Sequence, residues 1–568
     1  MSFQSQQAFQ KETDLIKKFG ESNAYLIWAA SMYLDYGDLD DLAAQALTDQ
    51  PNDKKIDFIF LDNDEKRLVF AQGYFSKKAG EQAPANKASD LNTAAAWLIS
   101  GDIKQVPEGL ADAIREARSA IETGDIDSIE LLYIHNLPES KNVATELGTA
   151  ATHLAKGLAK SNVSVLPLEL GTEQLEKIYV AKESQIVVRE SVPCPATLHF
   201  QEKGPKWEAG VTSVPGDWLR SLFSKYGDAL FSANYRGFLG VSKRKRINSG
   251  IKQSAENEPQ NFWVFNNGVS ILTLGYEPKG ENTILNGLSI INGAQTTGSL
   301  ASAKESQTKV MVRIIHCTDP ETVKNIVRFN NTQNEITTWD QYSNTEEQKK
   351  IQQEMQQLGH SYSLKRGFAE SLTGMGIEVV AQPLLAFHGD FLTANRGKNG
   401  IFERATTYNK AFQFKSARHI LFVYTLAKAI NFLNWELKQK RSENTIINIE
   451  GQQLELFRNL KFKYFLIALI AQTLDSFVGK ACNIDQASFT TDASMAKNRT
   501  LEELAELWLP VVRAASALLP AQLKGKDQSQ VFASEEDLGS IAETMKGIVY
   551  LTRNNLSLKE FPDLVVAH

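Results

Sequence analysis

Strand-like runs stop at about residue 338, and this limits what the chain can fold into. Beyond Thr338 apolar residues recur at three-four spacing through TEEQKKIQQEMQQLG, SARHILFVYTLAKAINFLNWELKQK, LFRNLKFKYFLIALIAQTLDSF and LEELAELWLPVVRAASALL. That is the period of an amphipathic helix, so 339–568 is expected to be an α-helical bundle. Ahead of it, helices and strands alternate. From Phe9 to about Asp49 the pattern is helical, with acidic turns in YGDLDDLAAQALTDQ. KIDFIFLD and RLVFAQGYF then read as strands joined by a hairpin turn at residues 63–66. KASDLNTAAAWLI and EGLADAIREARSAIE read as helices, SIELLYIHNLP and VSVLPLELG as strands. The order defines an α/β domain over 1–188.

The middle segment, 189–338, is expected to be a mixed α/β domain. Strand-like VTSVP is followed by an amphipathic segment, DWLRSLFSKYGDALFSANYRGFLG, and a basic spacer, SKRKRINSGIKQS. FWVFNNGVSILTL, LSIINGA and KVMVRIIH are strand candidates, and Asp319 with Pro320 is a helix start, an N-cap followed by proline at the first helical position. The chain is thus an α/β multidomain protein. Its formal net charge of -6 argues against a broad surface for nucleic acid, so any DNA or RNA contact must be local. The N-terminus lacks the pattern of a secretory signal. The run YFLIALIA is shorter than the ~20 residues a spanning helix needs, so no membrane association is expected. Cys194, Cys317 and Cys482 are far apart and form no CxxC, which suits a reducing cytoplasm.

The hairpin carries the first candidate chemistry. Hydrolysis of a phosphodiester with a divalent cation needs acidic or amide oxygens to hold the metal, and a lysine to handle charge. Asp57 precedes the turn; Gln72 and Tyr74 follow it and share one strand face. This resembles the PD-(D/E)xK restriction-endonuclease core, whose signature is an aspartate, a hairpin, then Glu or Gln, any residue, and Lys. The resemblance implies a restriction-endonuclease-like N-terminal domain, with Asp57 and Gln72 as Mg2+ ligands and catalytic residues. Tyr74 stands where the lysine is expected, and Lys87 at the start of the next helix is the candidate for a migrated one.

The second chemistry is uncharged. ANYRGFLG, VFNNGVSI, SIINGAQTTGSL and RFNNTQNEITTW each set amides or one arginine beside apolar positions. An unpaired buried polar group costs ~1–3 kcal/mol, so these either close an internal network or read a ligand's donors and acceptors. At SIINGAQTTGSL a strand would end at Asn292, Gly293 would turn the chain, and Thr296 and Thr297 would open a helix suited to a phosphate.

Together, NYRGFLG, NFWVFNNGVSIL, IINGAQTTGSL, VMVRIIHCTDPETVKNIVRFNNTQNEITTWDQYS and YSLKRG resemble the abortive-infection phage-resistance (AIPR) family, over about residues 210–400. The resemblance implies a cytoplasmic antiviral role. The same stretch is similar to the nucleotide-binding core of ParB-like proteins. There Gly293 and Gln295 fall in a first phosphate-cradling box and Asn330, Asn331 and Gln333 in a second, with Thr296, Thr297 and Asn334 where box arginines would stand. Arg236, Arg313 or the Lys243–Arg246 cluster would supply the charge, with Asn266, Asn267 and Asn292 completing the site. A nucleotide, DNA or RNA is the implied ligand. The broad apolar faces of the helical third leave room for a homodimer.

Overall fold

The computed structural model describes residues 3–48, 56–77, 82–99, 102–106, 108–158, 163–183, 186–233, 249–304, 307–331, 342, 345–364, 375–492, 499–558 and 560–566. Its contacts group into two compact units. One holds 12–171 and 337–568; the other holds 1–11 and 172–336. Of the three consecutive segments expected from sequence, most of the first and the third therefore share a unit.

In the first unit the hairpin forms as expected. β1 (Phe58–Asp62) and β2 (Arg67–Tyr74) are antiparallel, and β3 (Ser128–His135) and β4 (Ser164–Leu170) follow in parallel, giving the order β1-β2-β3-β4. Alternation decides what each face buries. Ile59, Leu68, Phe70, Ile129, Leu131 and Tyr133 share a core with helices Leu91–Ile99, Glu108–Thr123 and Lys141–Gly157. The helix Thr13–Leu34 lies against the sheet, where Tyr25 donates to the His135 carbonyl at 3.3 Å and Tyr33 to Glu130 Oε2 at 3.1 Å. KASDLNTAAAWLI is two helices, Ala85–Ser89 and Leu91–Ile99, broken at Asp90.

The helical third surrounds Ala417–Ser442, buried along nearly its whole length with no single polar stripe, as a central helix must be. Phe462–Val478, Leu501–Gln522 and Ile377–Phe387 pack around it, with Trp508 donating to the Phe422 carbonyl at 3.0 Å. Leu501–Gln522 is the one described helix long and apolar enough to cross a membrane, and half of that stretch is buried in the fold.

Buried ion pairs join the sheet to these helices. The acidic run YGDLDD is the start of the helix Leu39–Ala46, capped by Asp38, which accepts from the Asp41 amide at 3.0 Å. Its carboxylates face inward. Asp40 accepts from Lys18 at 2.6 Å and from Lys428 at 2.8 Å; Asp41 accepts from Tyr36 at 2.7 Å, Gln45 at 2.8 Å and Lys463; Asp38 accepts from Tyr424 at 2.9 Å. At the hairpin turn, Asp64 accepts from the amides of Lys398 (3.1 Å) and Asn399 (2.8 Å). Phe19 and Trp435 meet edge to face, centroids 4.6 Å apart.

In the second unit, β5 (Val188–Cys194), β6 (Phe200–Lys203), β7 (Trp207–Pro215), β8 (Val269–Thr273), β9 (Tyr276–Lys279), β10 (Asn282–Asn292) and β11 (Lys309–Cys317) form one sheet. Its order is β5-β10-β8-β11-β7-β6, with β9 pairing β10. β8 and β11 are parallel; the other pairs are antiparallel. Helices Gly216–Tyr226, Ser249–Asn257 and Ala294–Ser302 share its core. The expected strand FWVFNNGVSILTL forms only from Val269. Phe262–Phe265 is a helical turn, and Gly268, at φ +78°, redirects the chain into β8. Asp319 caps Pro320–Asn331 as expected, accepting from the Thr322 amide at 2.9 Å.

Removing one partner of a buried pair strands the other charge. Lys428→Met is expected to lower unfolding free energy by about 3–5 kcal/mol in chemical denaturation. Burial alone would raise the Asp40 and Asp41 carboxyls, but their lysine partners outweigh it and hold each down at about 2. This stability is present above the ordinary carboxylate value of 3.8 and is lost as pH falls through about 2. Acid unfolding should therefore sharpen between those values and flatten in Asp40→Asn.

Candidate functional site

The hairpin site is assembled by register. Asp57 lies one residue before β1, and its amide donates to the Ala71 carbonyl at 3.2 Å, which places it beside Gln72. Gln72 Nε2 donates to Asp57 Oδ2 at 2.5 Å and the Gly73 amide to the same oxygen at 2.8 Å. Gln72 is 2% exposed, and its Oε1 is buried with no hydrogen-bond partner. A buried acceptor that lacks a donor is costly, and a hard cation satisfies an oxygen of this kind.

The row continues across the sheet. Gln72 is opposite Tyr133, and Tyr133 is opposite Glu169. Burial, followed by nearby Tyr74, Glu169, Asp90 and Asp57, pushes the Tyr133 phenol well up, so the surroundings are anionic. His135 is fully buried. Its Nδ1 accepts from the Leu137 amide at 3.3 Å, which leaves Nε2 to donate to Glu169 Oε1 at 3.0 Å. Glu169 also accepts from the Ser140 amide at 3.1 Å, and Ser140 caps Lys141–Gly157.

The structure brings Asp57 and Gln72 together but leaves Lys87 exposed on Ala85–Ser89, outside the hydrogen bonds of the pair. Tyr74 is half-buried. Among the described residues no group of three or more His, Cys, Asp or Glu side chains is placed to hold a metal. Asp57 and Gln72 offer a hard cation two oxygen donors, Gln72 Oε1 without a hydrogen-bond partner, and the remaining ligands of a six-coordinate ion would have to come from water or substrate. Sequence reasoning missed Tyr133, His135 and Glu169. Their signal was the polar side chains that interrupt otherwise apolar SIELLYIH and LPLELG.

In the other unit the amides converge at the end of β10. That strand ends at Asn292, and Gly293 caps Ala294–Ser302 with φ +100°, so the helix opens on Gly293 rather than on the threonines. Asn292, Ser270 and Arg313 share a register row. Asn292 Nδ2 donates to the Asn330 carbonyl at 3.0 Å; Arg313 donates to Ser270 Oγ at 3.1 Å and to Asn330 Oδ1; Asn330 Nδ2 donates to the Ile326 carbonyl at 2.8 Å. Arg313 remains exposed at this edge.

The other expected ligands differ in availability. Thr297 is fully buried and donates to the Gly293 carbonyl at 3.0 Å, and Thr296 is buried. Gln295 and Asn267 are exposed, while Asn266 donates to the Phe262 carbonyl at 3.0 Å. Asn331 ends its helix. Arg236, Gln333, Asn334 and Lys243–Arg246 lie outside the described residues. The result is a network of neutral amides and one exposed arginine beside a helix start.

A mixed α/β chain with a long helical part and this amide-lined strand end defines the class to which the comparisons speak. A family profile described as "AIPR protein" matches residues 231–553, more than half of the 568 residues. The chain belongs to the AIPR family, and membership implies antiphage defence by abortive infection. No curated protein and no solved structure gives a match.

A Cβ on Gly293 would meet Val269 Cγ2 at 2.8 Å and the Gly268 carbonyl oxygen at 3.0 Å. Gly293→Ala therefore combines a crowded contact with a left-handed backbone and is expected to cost about 1–3 kcal/mol, read by urea denaturation. Gly539→Ala, which meets nothing within 4 Å and lies inside the helix Glu535–Thr552, is the control and is expected to stabilise by about 0.5–1 kcal/mol.

Proposed function

We propose that this AIPR protein defends its host by acting on nucleic acid, with the four-stranded sheet domain as a metal-dependent phosphodiester hydrolase. One observation carries the reading: the buried, partnerless Gln72 Oε1 beside the Asp57 carboxylate. Mg2+ held there by Asp57 and Gln72 would supply Lewis-acid stabilisation of the reacting phosphate. The anionic surroundings of Tyr133 favour a cation on this side of the sheet. Lys87 keeps the role of charge-handling lysine only by moving toward the pair when substrate binds. We also propose a cytoplasmic homodimer with no membrane partner. The three free cysteines support the compartment, and Tyr550 and Leu551, 82% and 80% exposed on Glu535–Thr552, support self-association.

A second reading rests on the strand end of the other unit. Arg313, Asn292 and Asn330 beside the opening of Ala294–Ser302 would make the protein a nucleotide- or nucleic-acid-binding sensor with an inert hairpin. The absence of a lysine at position 74 favours it.

Purified protein with plasmid, linear DNA and RNA in Mg2+ or Mn2+ separates the two. The hydrolase reading expects metal-dependent cleavage that Asp57→Ala abolishes and Gln72→Glu retains, with phage protection following cleavage. Protection that survives in Asp57→Ala removes the hydrolase. The sensor reading then expects Arg313→Ala to weaken nucleotide or oligonucleotide binding at least ~10-fold, measured calorimetrically.

A further inference from the structure

Two histidines that neither candidate site uses face each other inside the helical part of the first unit. His388 is the C-cap of Ile377–Phe387, and His419 lies in the first turn of the central helix Ala417–Ser442. They are 8% and 1% exposed. Their Nε2 atoms are 3.0 Å apart, while His388 Nδ1 lies 2.9 Å from the Lys410 carbonyl and His419 Nδ1 lies 2.9 Å from the Ala487 carbonyl. The ring centroids are 5.2 Å apart and the planes 9° from parallel. The centroids are farther apart than the facing nitrogens by about one ring width, so the rings meet end to end, in the line that an N–H···N hydrogen bond prefers. A carbonyl oxygen only accepts, so each Nδ1 must carry a hydrogen, and the contact between the Nε2 atoms needs one more. Three N–H groups are required, and two neutral imidazoles carry two.

We propose that His388 and His419 form a proton-operated joint: the pair binds one proton between its Nε2 atoms, and that proton fastens the end of Ile377–Phe387 to the start of the central helix. A metal ion does not fit the same place, since two in-line bonds of ~2.0–2.1 Å would need about 4 Å between the nitrogens. The proton belongs on His388, because positive charge is favoured at a helix C-terminus and opposed at an N-terminus. Burial lowers His388; the Lys410 carbonyl and Asp485 favour its charge, and the Lys410 ammonium opposes it. Burial and then His388 hold His419 at about 4. The other charged groups near the helix start are engaged elsewhere: Glu354 accepts from the Ala417 amide at 3.2 Å, Arg418 donates to Thr491 Oγ1 at 3.1 Å, and Lys415 pairs with Glu347. Without the proton one contact is given up, because either the two lone pairs separate or one ring turns a bare nitrogen toward a carbonyl. Proton binding therefore ties together four segments: the end of Ile377–Phe387, Ala405–Ala411, the central helix and Ala487 ahead of the strand Ser488–Phe489. Both histidines are lowered in the fold, so the unfolded chain takes up protons first. Their contribution to stability is whole above 6.5 and declines as pH falls, while the joint itself closes.

The test is nitrogen NMR of the full chain labelled at histidine, titrated from above pH 6.5 down to about 4. The Nε2 signals of both histidines are expected to move together through one midpoint below 6.5, with the pair gaining one proton and both Nδ1 atoms protonated below that midpoint. His419→Phe removes the acceptor of the shared proton, so His388 should then bind its proton at least ~10-fold more weakly. The signals lost in His388→Phe and in His419→Phe assign the two residues. If neither variant folds, the wild-type titration still decides, because a coupled one-proton step is visible in it. The inference fails if the two histidines titrate independently, if neither gains a proton by about pH 4, or if His388 keeps its midpoint in His419→Phe.

Discussion

The first unit depends on three carboxylates in one turn of chain. Asp38, Asp40 and Asp41 sit at the head of a short helix and reach Lys18, Tyr424, Lys428 and Lys463, so residues nearly four hundred positions apart share charge in the interior. Burying such groups costs several kcal/mol per ion, offset only when every lone pair is met. Here they are met closely: Asp41 alone takes bonds from Tyr36, Gln45, Asn431 and Lys463. Once formed, the arrangement penalises separation heavily, because each half would keep unpaired charge on a surface shaped to hide it. The sheet domain, outside the matched span of residues 231–553, is by this physics an integral partner of the helices within it.

What was legible in the sequence follows from the range of the forces involved. The β1–β2 hairpin, the cap at Asp319 and the strand end at Asn292 are local, and alternation, capping chemistry and one glycine are enough to find them. FWVF was misread because its aromatics suit a strand equally well. Only the burial of Phe262 in the sheet core, with Trp263, Val264 and Phe265 left outside, makes it a helical turn. The acidic run YGDLDD read only as acidic turns in a helical stretch, and nothing local marks it as buried, since charge next to charge is ordinarily exposed. Its burial is set by Lys428 and Lys463, whose positions no local pattern reveals. For the same reason Tyr133 and Glu169 escaped notice: they join Gln72 only through parallel pairings that sequence spacing does not encode.

The two candidate sites solve opposite electrostatic problems. On the sheet, Asp57, Asp90 and Glu169 crowd a buried tyrosine and oppose its ionisation, and a buried amide oxygen adds an acceptor without a donor. That is a surplus of negative charge and lone pairs, relieved by a cation. At the end of β10 the groups are neutral and mostly satisfied by one another, with Asn330 accepting from Arg313 and donating to its own helix. Arg313 is the charged member of that network. A phosphate arriving there would compete with Asn330 for the guanidinium, so binding at that edge would loosen the end of Pro320–Asn331 from the sheet. On the sensor reading, the amides that form this closed network would also be the parts a ligand releases.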